Sequence, residues 1–186
     1  MGAKLPVGVC GLLLTFALLH SGPRVMAQVR LTREQALDLY FPGATVERRT
    51  SFLTDAQVSG IEERGRAKVE SRVLTYYTAR NSAGVVGTAF FETKTVRTMP
   101  ATFVVVIAPD TTVTAVEILA FHEPEDYSPT KPWLEQFTGK SPEDDLFLKR
   151  GIRVIAGATL TAQALTDAVR RLLATYEIVC AQEGKK

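Results

Sequence analysis

The residues best suited to chemistry lie close together near the C-terminus, in residues 151–171 (GIRVIAGATLTAQALTDAVRR). Gly157 and Ala158 lead straight into Thr159, Leu160 and Thr161, and from there apolar residues recur at helical spacing as far as Tyr176. The first N–H groups of a helix have no internal partner and sit at the positive end of its dipole. A phosphate fits such a helix start without much help from charged side chains. Gly157 and Ala158 would let a ligand come close to the backbone, while Thr159 and Thr161 supply hydroxyls. The physical expectation is an anion site with a reactive or capping threonine. The plainer alternative is helix punctuation, since a threonine N-cap after a glycine turn is common. The chain holds its own control: Gly43-Ala44-Thr45 repeats the tripeptide where nothing suggests a ligand.

Other chemistries are poorly supplied. Residues 1–4 are short and basic, residues 5–19 (LPVGVCGLLLTFALL) are almost wholly apolar, and Val25-Met26-Ala27 offers small residues for cleavage. That three-part layout is the layout of a secretory signal peptide. The apolar run is shorter than the roughly 20 residues of a membrane-spanning helix, so cleavage is expected and an uncleaved N-terminal anchor is the alternative. The chain's formal net charge is +2, and this leader contains Lys4 and Arg24 but no acid, so residues 28–186 are formally neutral. A neutral balance argues against electrostatic attachment to nucleic acid or anionic lipid. Cys180 is the only cysteine left after the leader and His122 the only histidine. No internal disulfide or cysteine cluster can form, no metal site is expected, and a Ser-His-Asp hydrolase has little to build on.

The elements that must position this segment can be read coarsely. Thr32 and Gln35 make a capping box ahead of a helix that Phe41-Pro42-Gly43 stops. Residues 45–53 alternate as a strand, and Thr54 with Gln57 opens a second short helix ending near Gly65. Residues 69–79 and 85–96 read as a hairpin around Asn81-Ser82-Ala83-Gly84, and residues 103–108 and 113–121 as another around Pro109-Asp110. Short direct connections favour antiparallel pairing. Residues 132–137 suggest a short helix ended by Gly139, then a charged connection over 141–149, then the long amphipathic helix from Thr159. The expected fold is α+β: an antiparallel sheet of about five strands packed against helices, in one domain over residues 28–186.

Residues 156–170 (AGATLTAQALTDAVR) resemble the end of the FMN-binding domain found in the flavin subunits of sodium-pumping NADH:quinone reductase and of the Rnf electron-transport complex. The resemblance runs over about residues 85–175 in one order. It takes in the paired strands of 103–121, the loop Phe121-His122-Glu123-Pro124 and the aromatic-rich connection 133–139 (WLEQFTG). It implies FMN joined through its phosphate to Thr159 by a flavin transferase, with Gly157, Ala158, Leu160 and Thr161 around the phosphate and His122, Glu123 and Trp133 near the ring system. Two positions depart from the family pattern, which has an acid where this chain has Arg153 and Ser or Thr where it has Ala156. Both belong to what the transferase reads, so they bear on covalent attachment more than on FMN binding. Arg153 could instead pair with a phosphate held non-covalently, or be a plain surface charge.

The function so implied is an exported, periplasmic or extracytoplasmic electron-transfer component. No nicotinamide fingerprint or second cofactor motif is present, so separate donor and acceptor proteins are expected, either free or within a membrane complex. The competing reading is a non-catalytic secreted binding module without cofactor, and a weaker one is an FMN-delivery or storage protein.

Overall fold

A computed structural model describes residue 2 and residues 28–181. Apart from Gly2, the expected signal segment lies outside the described residues.

Both capping boxes form. Thr32 Oγ1 accepts the Gln35 N–H at 3.2 Å while Gln35 Oε1 accepts the Thr32 N–H at 2.8 Å, opening α1 (Arg33–Tyr40). Thr54 and Gln57 repeat the exchange at 3.2 and 3.0 Å and open α2 (Asp55–Gly65). Two otherwise orphaned N–H groups are satisfied reciprocally at each start.

Six strands follow the chain: β1 (Gln28–Val29), β2 (Thr45–Phe52), β3 (Val73–Asn81), β4 (Gly84–Val96), β5 (Met99–Ile107) and β6 (Val113–Phe121). They form one sheet in the order β1-β6-β5-β4-β3-β2, and every neighbouring pair is antiparallel. The five long strands are those expected, with the two-residue β1 added beside β6. Two strand starts differ by four residues each. β3 starts at Val73 rather than at residue 69, and β5 starts at Met99 rather than at residue 103. Pro100 conceals the second start, because proline lacks a ladder N–H and reads as a break. A tight Arg97–Thr98 connection, with Arg97 at φ +55°, brings Val96 opposite Met99.

Side chains alternate across a strand, and here both faces are covered. Phe103, Val105 and Ile107 of β5 join Tyr76, Phe90 and Ile118 in one core, roofed by α4 (Thr159–Thr175). Val104 and Val106 join Tyr77, Ala79, Ala89 and Leu119 on the other face, against Ala36 and Phe41 of the α1 region. Ala162, Leu165, Ala168, Val169, Leu172 and Leu173 form the buried stripe of α4. Each fully buried large apolar side chain contributes about 1.5–3 kcal/mol, so this stripe fixes the helix on the sheet. α4 runs on into one π turn, Tyr176–Cys180. α3 (Lys131–Leu134) and the 3-10 turn Glu135–Phe137 pack beside β6.

Arg170 ties α2 to α4. Its guanidinium donates to the carbonyls of Gly65 (3.0 Å), Arg66 (3.1 Å) and Leu146 (2.8 Å) and pairs with Asp167 at 2.7 Å. It thereby closes the C-terminal end of α2, where Arg66 itself takes the left-handed conformation at φ +46°. No helix among the described residues is long and apolar enough to cross a membrane.

Candidate functional site at the start of the last helix

α4 begins without a side-chain cap. Its N-cap is Ala158, which has no capping hydroxyl, and Thr159 is already the first helical residue. The expectation that Thr159 serves as the cap is thus corrected: residue 158 occupies the cap position, and it cannot accept a hydrogen bond. The first intrahelical bond runs from the Ala162 N–H to the Ala158 carbonyl at 3.1 Å. The N–H groups of Thr159, Leu160 and Thr161 therefore have no partner among the described residues.

The approach to the helix is equally open. The Ala158 N–H donates to the Ile155 carbonyl at 3.1 Å, closing a turn whose third residue is Gly157 at φ +76°. A side chain is strained there, and a Cβ on Gly157 would meet nothing within 4 Å. Thr159 and Leu160 are exposed, while Ala158 is packed inward. The tripeptide at Gly43 adopts almost the same glycine geometry, φ +72°, but leads into β2 rather than a helix. It therefore lacks the cluster of free N–H groups.

Thr161 behaves differently from its neighbours. It is fully buried, and its hydroxyl has no hydrogen-bond partner. Two other buried threonines on α4 donate to the carbonyl four residues earlier, Thr166 to Ala162 at 2.6 Å and Thr175 to Arg171 at 2.8 Å. The equivalent carbonyl for Thr161 belongs to Gly157, which lies outside the helix in a left-handed turn. That hydroxyl is left unsatisfied within the first turn of the cradle.

Trp133 and Arg153 frame the segment. Trp133 Nε1 donates to the Arg153 carbonyl at 2.7 Å, and Gln136 Oε1 accepts the Arg153 N–H at 3.0 Å and its Nε–H at 3.1 Å. Gln136 Nε2 in turn donates to the Trp133 carbonyl at 3.0 Å. This lattice staples residue 153 to the α3 region, and sequence reasoning missed Gln136 because nothing in its spacing marks it. Trp133 is buried and meets Phe137 edge-on at 5.4 Å, so it is also a core aromatic. Arg153 is exposed, and its two terminal nitrogens make no bond among the described residues.

The His122–Glu123 loop makes no hydrogen bond to this cradle among the described residues. The His122 N–H donates to the Pro100 carbonyl at 3.2 Å. Glu123 is buried, and its Oε1 accepts the N–H groups of Thr98 and Met99, both at 2.8 Å. Those two backbone bonds hold the carboxyl below its ordinary range, with the Thr98 hydroxyl assisting. Glu123 thus pins the β4–β5 connection.

What the arrangement offers is an uncapped helix start behind a glycine turn, one reachable hydroxyl and one orphaned hydroxyl. Residues 98–174 match the family model of the FMN-binding domain. The matched stretch begins at the β4–β5 connection and ends in the last turn of α4, so it takes in β5, β6, α3 and the whole cradle. Over that stretch the family model agrees with the resemblance read from the residues, at the level of the domain family. No curated protein matches the chain. The cradle fits the phosphate end of FMN: three free N–H groups at an exposed helix start suit a phosphate.

Proposed function

We propose that this chain is an exported electron-transfer flavoprotein that carries FMN through its phosphate at Thr159. The observation that carries the reading is the uncapped start of α4, with an exposed threonine in the first helical position and no cap competing for its N–H groups. The backbone N–H groups of residues 159–161 hold the phosphate, Gly157 keeps the approach clear, and the outer guanidinium nitrogens of Arg153 stand ready for a second phosphate oxygen. Trp133 and Gln136 position Arg153 rather than touch the ligand. FMN, when bound, supplies the electron chemistry.

Attachment is the work of a separate flavin transferase. In that step the Thr159 Oγ would bond to the flavin-side phosphorus of a flavin dinucleotide, the P–O–P bond would break with the other nucleoside monophosphate as leaving group, and the hydroxyl proton would pass to solvent. The exposure of Thr159 gives such an enzyme access. Export rests on the basic, apolar and small-residue layout of residues 1–27. Separate donor and acceptor proteins complete the electron path, in a membrane complex if the leader remains as an anchor.

Co-expression with a flavin transferase, followed by a denaturing gel viewed under ultraviolet light, tests the reading with Thr159→Ala alongside. A fluorescent band lost in the variant establishes the phosphoester. Yellow native protein that releases FMN on denaturation places FMN in the same cradle without the bond, as the Arg153 and Ala156 departures allow. Colourless protein in both forms removes the flavin reading and leaves a secreted binding module.

A further inference from the structure

A second site lies at the other end of α4. A cavity of about 500 Å³ opens where the helix runs out, floored by the sheet and roofed by Tyr176 and Cys180. From Thr159 to Tyr176 the helix rises about 25 Å, so this cavity is separate from the cradle.

The sheet face changes character at this point. Tyr76 of β3 and Phe90 of β4 belong to the core beneath α4. Two residues along each strand, the same face presents Thr78 and Thr88, which sit directly opposite each other. Both are almost fully buried, and neither hydroxyl has a hydrogen-bond partner among the described residues, although both residues line the cavity. Unlike the Thr161 hydroxyl, neither is sealed off as an orphaned buried atom, so both open toward the cavity space. Arg80 follows on β3 and lines the same cavity, and its guanidinium makes no hydrogen bond or ion pair among the described residues. Arg49 of β2 adds a second guanidinium, itself paired with Glu47 at 2.9 Å. Among the described residues no acid lines the cavity, and Tyr76, Val85, Pro109 and Tyr176 supply apolar wall.

Two unpartnered hydroxyls and an unpaired guanidinium thus converge on one space where water or a ligand can serve them. A concave, partly apolar space with a few convergent polar groups is the ordinary form of a small-molecule site, and this volume lies within that range. We propose that this cavity binds a small organic anion, its carboxylate or phosphate monoester seated on Arg80 and the two threonine hydroxyls and its ring or chain against Tyr76 and Tyr176. The planar guanidinium of arginine matches either anion with two parallel bonds. The site is independent of flavin at Thr159.

The test is calorimetric titration of the full chain with phenyl phosphate, benzoate and inorganic phosphate, repeated on Arg80→Ala, Thr78→Val and Thr159→Ala. At least one aromatic anion should bind at millimolar concentration or below, and which one binds more tightly identifies the headgroup. Arg80→Ala should weaken it about tenfold or more, the loss expected for one charge-assisted pair, and Thr78→Val should weaken it less. Thr159→Ala should bind as wild type does. Binding that survives Arg80→Ala undiminished overturns the proposal. So does the absence of binding by all three probes, and so does binding by inorganic phosphate alone, which would mark a bare charge rather than an organic-anion site. Arg80 is only partly buried, so its truncation leaves the fold intact, and unchanged melting of the variant checks this.

Discussion

Replacing Thr161 by valine removes one hydroxyl and keeps the branched shape of the side chain. Thr161 is fully buried, and its Oγ1 has no partner. A buried hydroxyl without a bond costs about 1–3 kcal/mol in desolvation, and valine does not incur that cost. Both residues are β-branched, so helix propensity and χ1 restriction barely change. In the flavin-free protein Thr161→Val should therefore raise stability by about 1 kcal/mol, which for a chain of this length is a rise of about 2–4 °C in melting temperature. Thr166→Val is the control. Its hydroxyl already donates to the Ala162 carbonyl at 2.6 Å, so the same substitution should lower stability by about 0.5–1.5 kcal/mol. The hydroxyl is sealed from the cradle, so the same gain is expected with flavin bound. The assay is urea unfolding of both variants, with and without flavin. A flavin-free Thr161→Val protein that unfolds at lower urea than wild type would refute the reasoning, since it would mean that the hydroxyl is already satisfied.

Three further outcomes follow from particular contacts. Gly151→Ala would place a Cβ 1.8 Å from the Asp145 carbonyl oxygen, a backbone atom that cannot swing aside, so thermal unfolding should show a loss of about 2 kcal/mol or more. Arg170→Met keeps much of the side chain's bulk but strands the carbonyls of Gly65, Arg66 and Leu146, and denaturant unfolding should show a loss of about 3 kcal/mol or more. Glu123 has its pKa lowered in the folded state by the Thr98 and Met99 N–H groups. Its contribution is therefore present above the carboxyl's ordinary pKa and disappears as pH falls through the lowered folded value. Glu123→Gln should flatten that acid limb while melting differently at neutral pH, and an unchanged acid limb would remove Glu123 from the account.

Much of the fold is legible in the residues because its signals are local. The capping boxes at Thr32 and Thr54 depend on contacts three residues apart, and both form as read. Period-two alternation marks the strands of the antiparallel sheet, and the apolar stripe from Leu165 to Leu173 marks the last helix. The α+β class follows from those patterns, and the Gly157-Ala158-Thr159 segment stands out because a glycine and a small residue before an amphipathic run suit a helix start. Other features depend on residues far apart in the chain. β5 extends back to Met99 because Glu123, 24 residues later, accepts its N–H and holds the turn. Thr159 lies inside the helix and Ala158 at its cap, which no spacing rule separates, since a one-residue shift leaves the pattern intact. The two Gly-Ala-Thr tripeptides share sequence and glycine geometry, and only what each is packed against makes one a strand entry and the other a bare helix start. The sequence by itself determined the elements, because they reside in short-range pattern. Tertiary packing alone decided which polar groups were left without partners, and those at the bare start of α4 and around Arg80 are where ligands are expected.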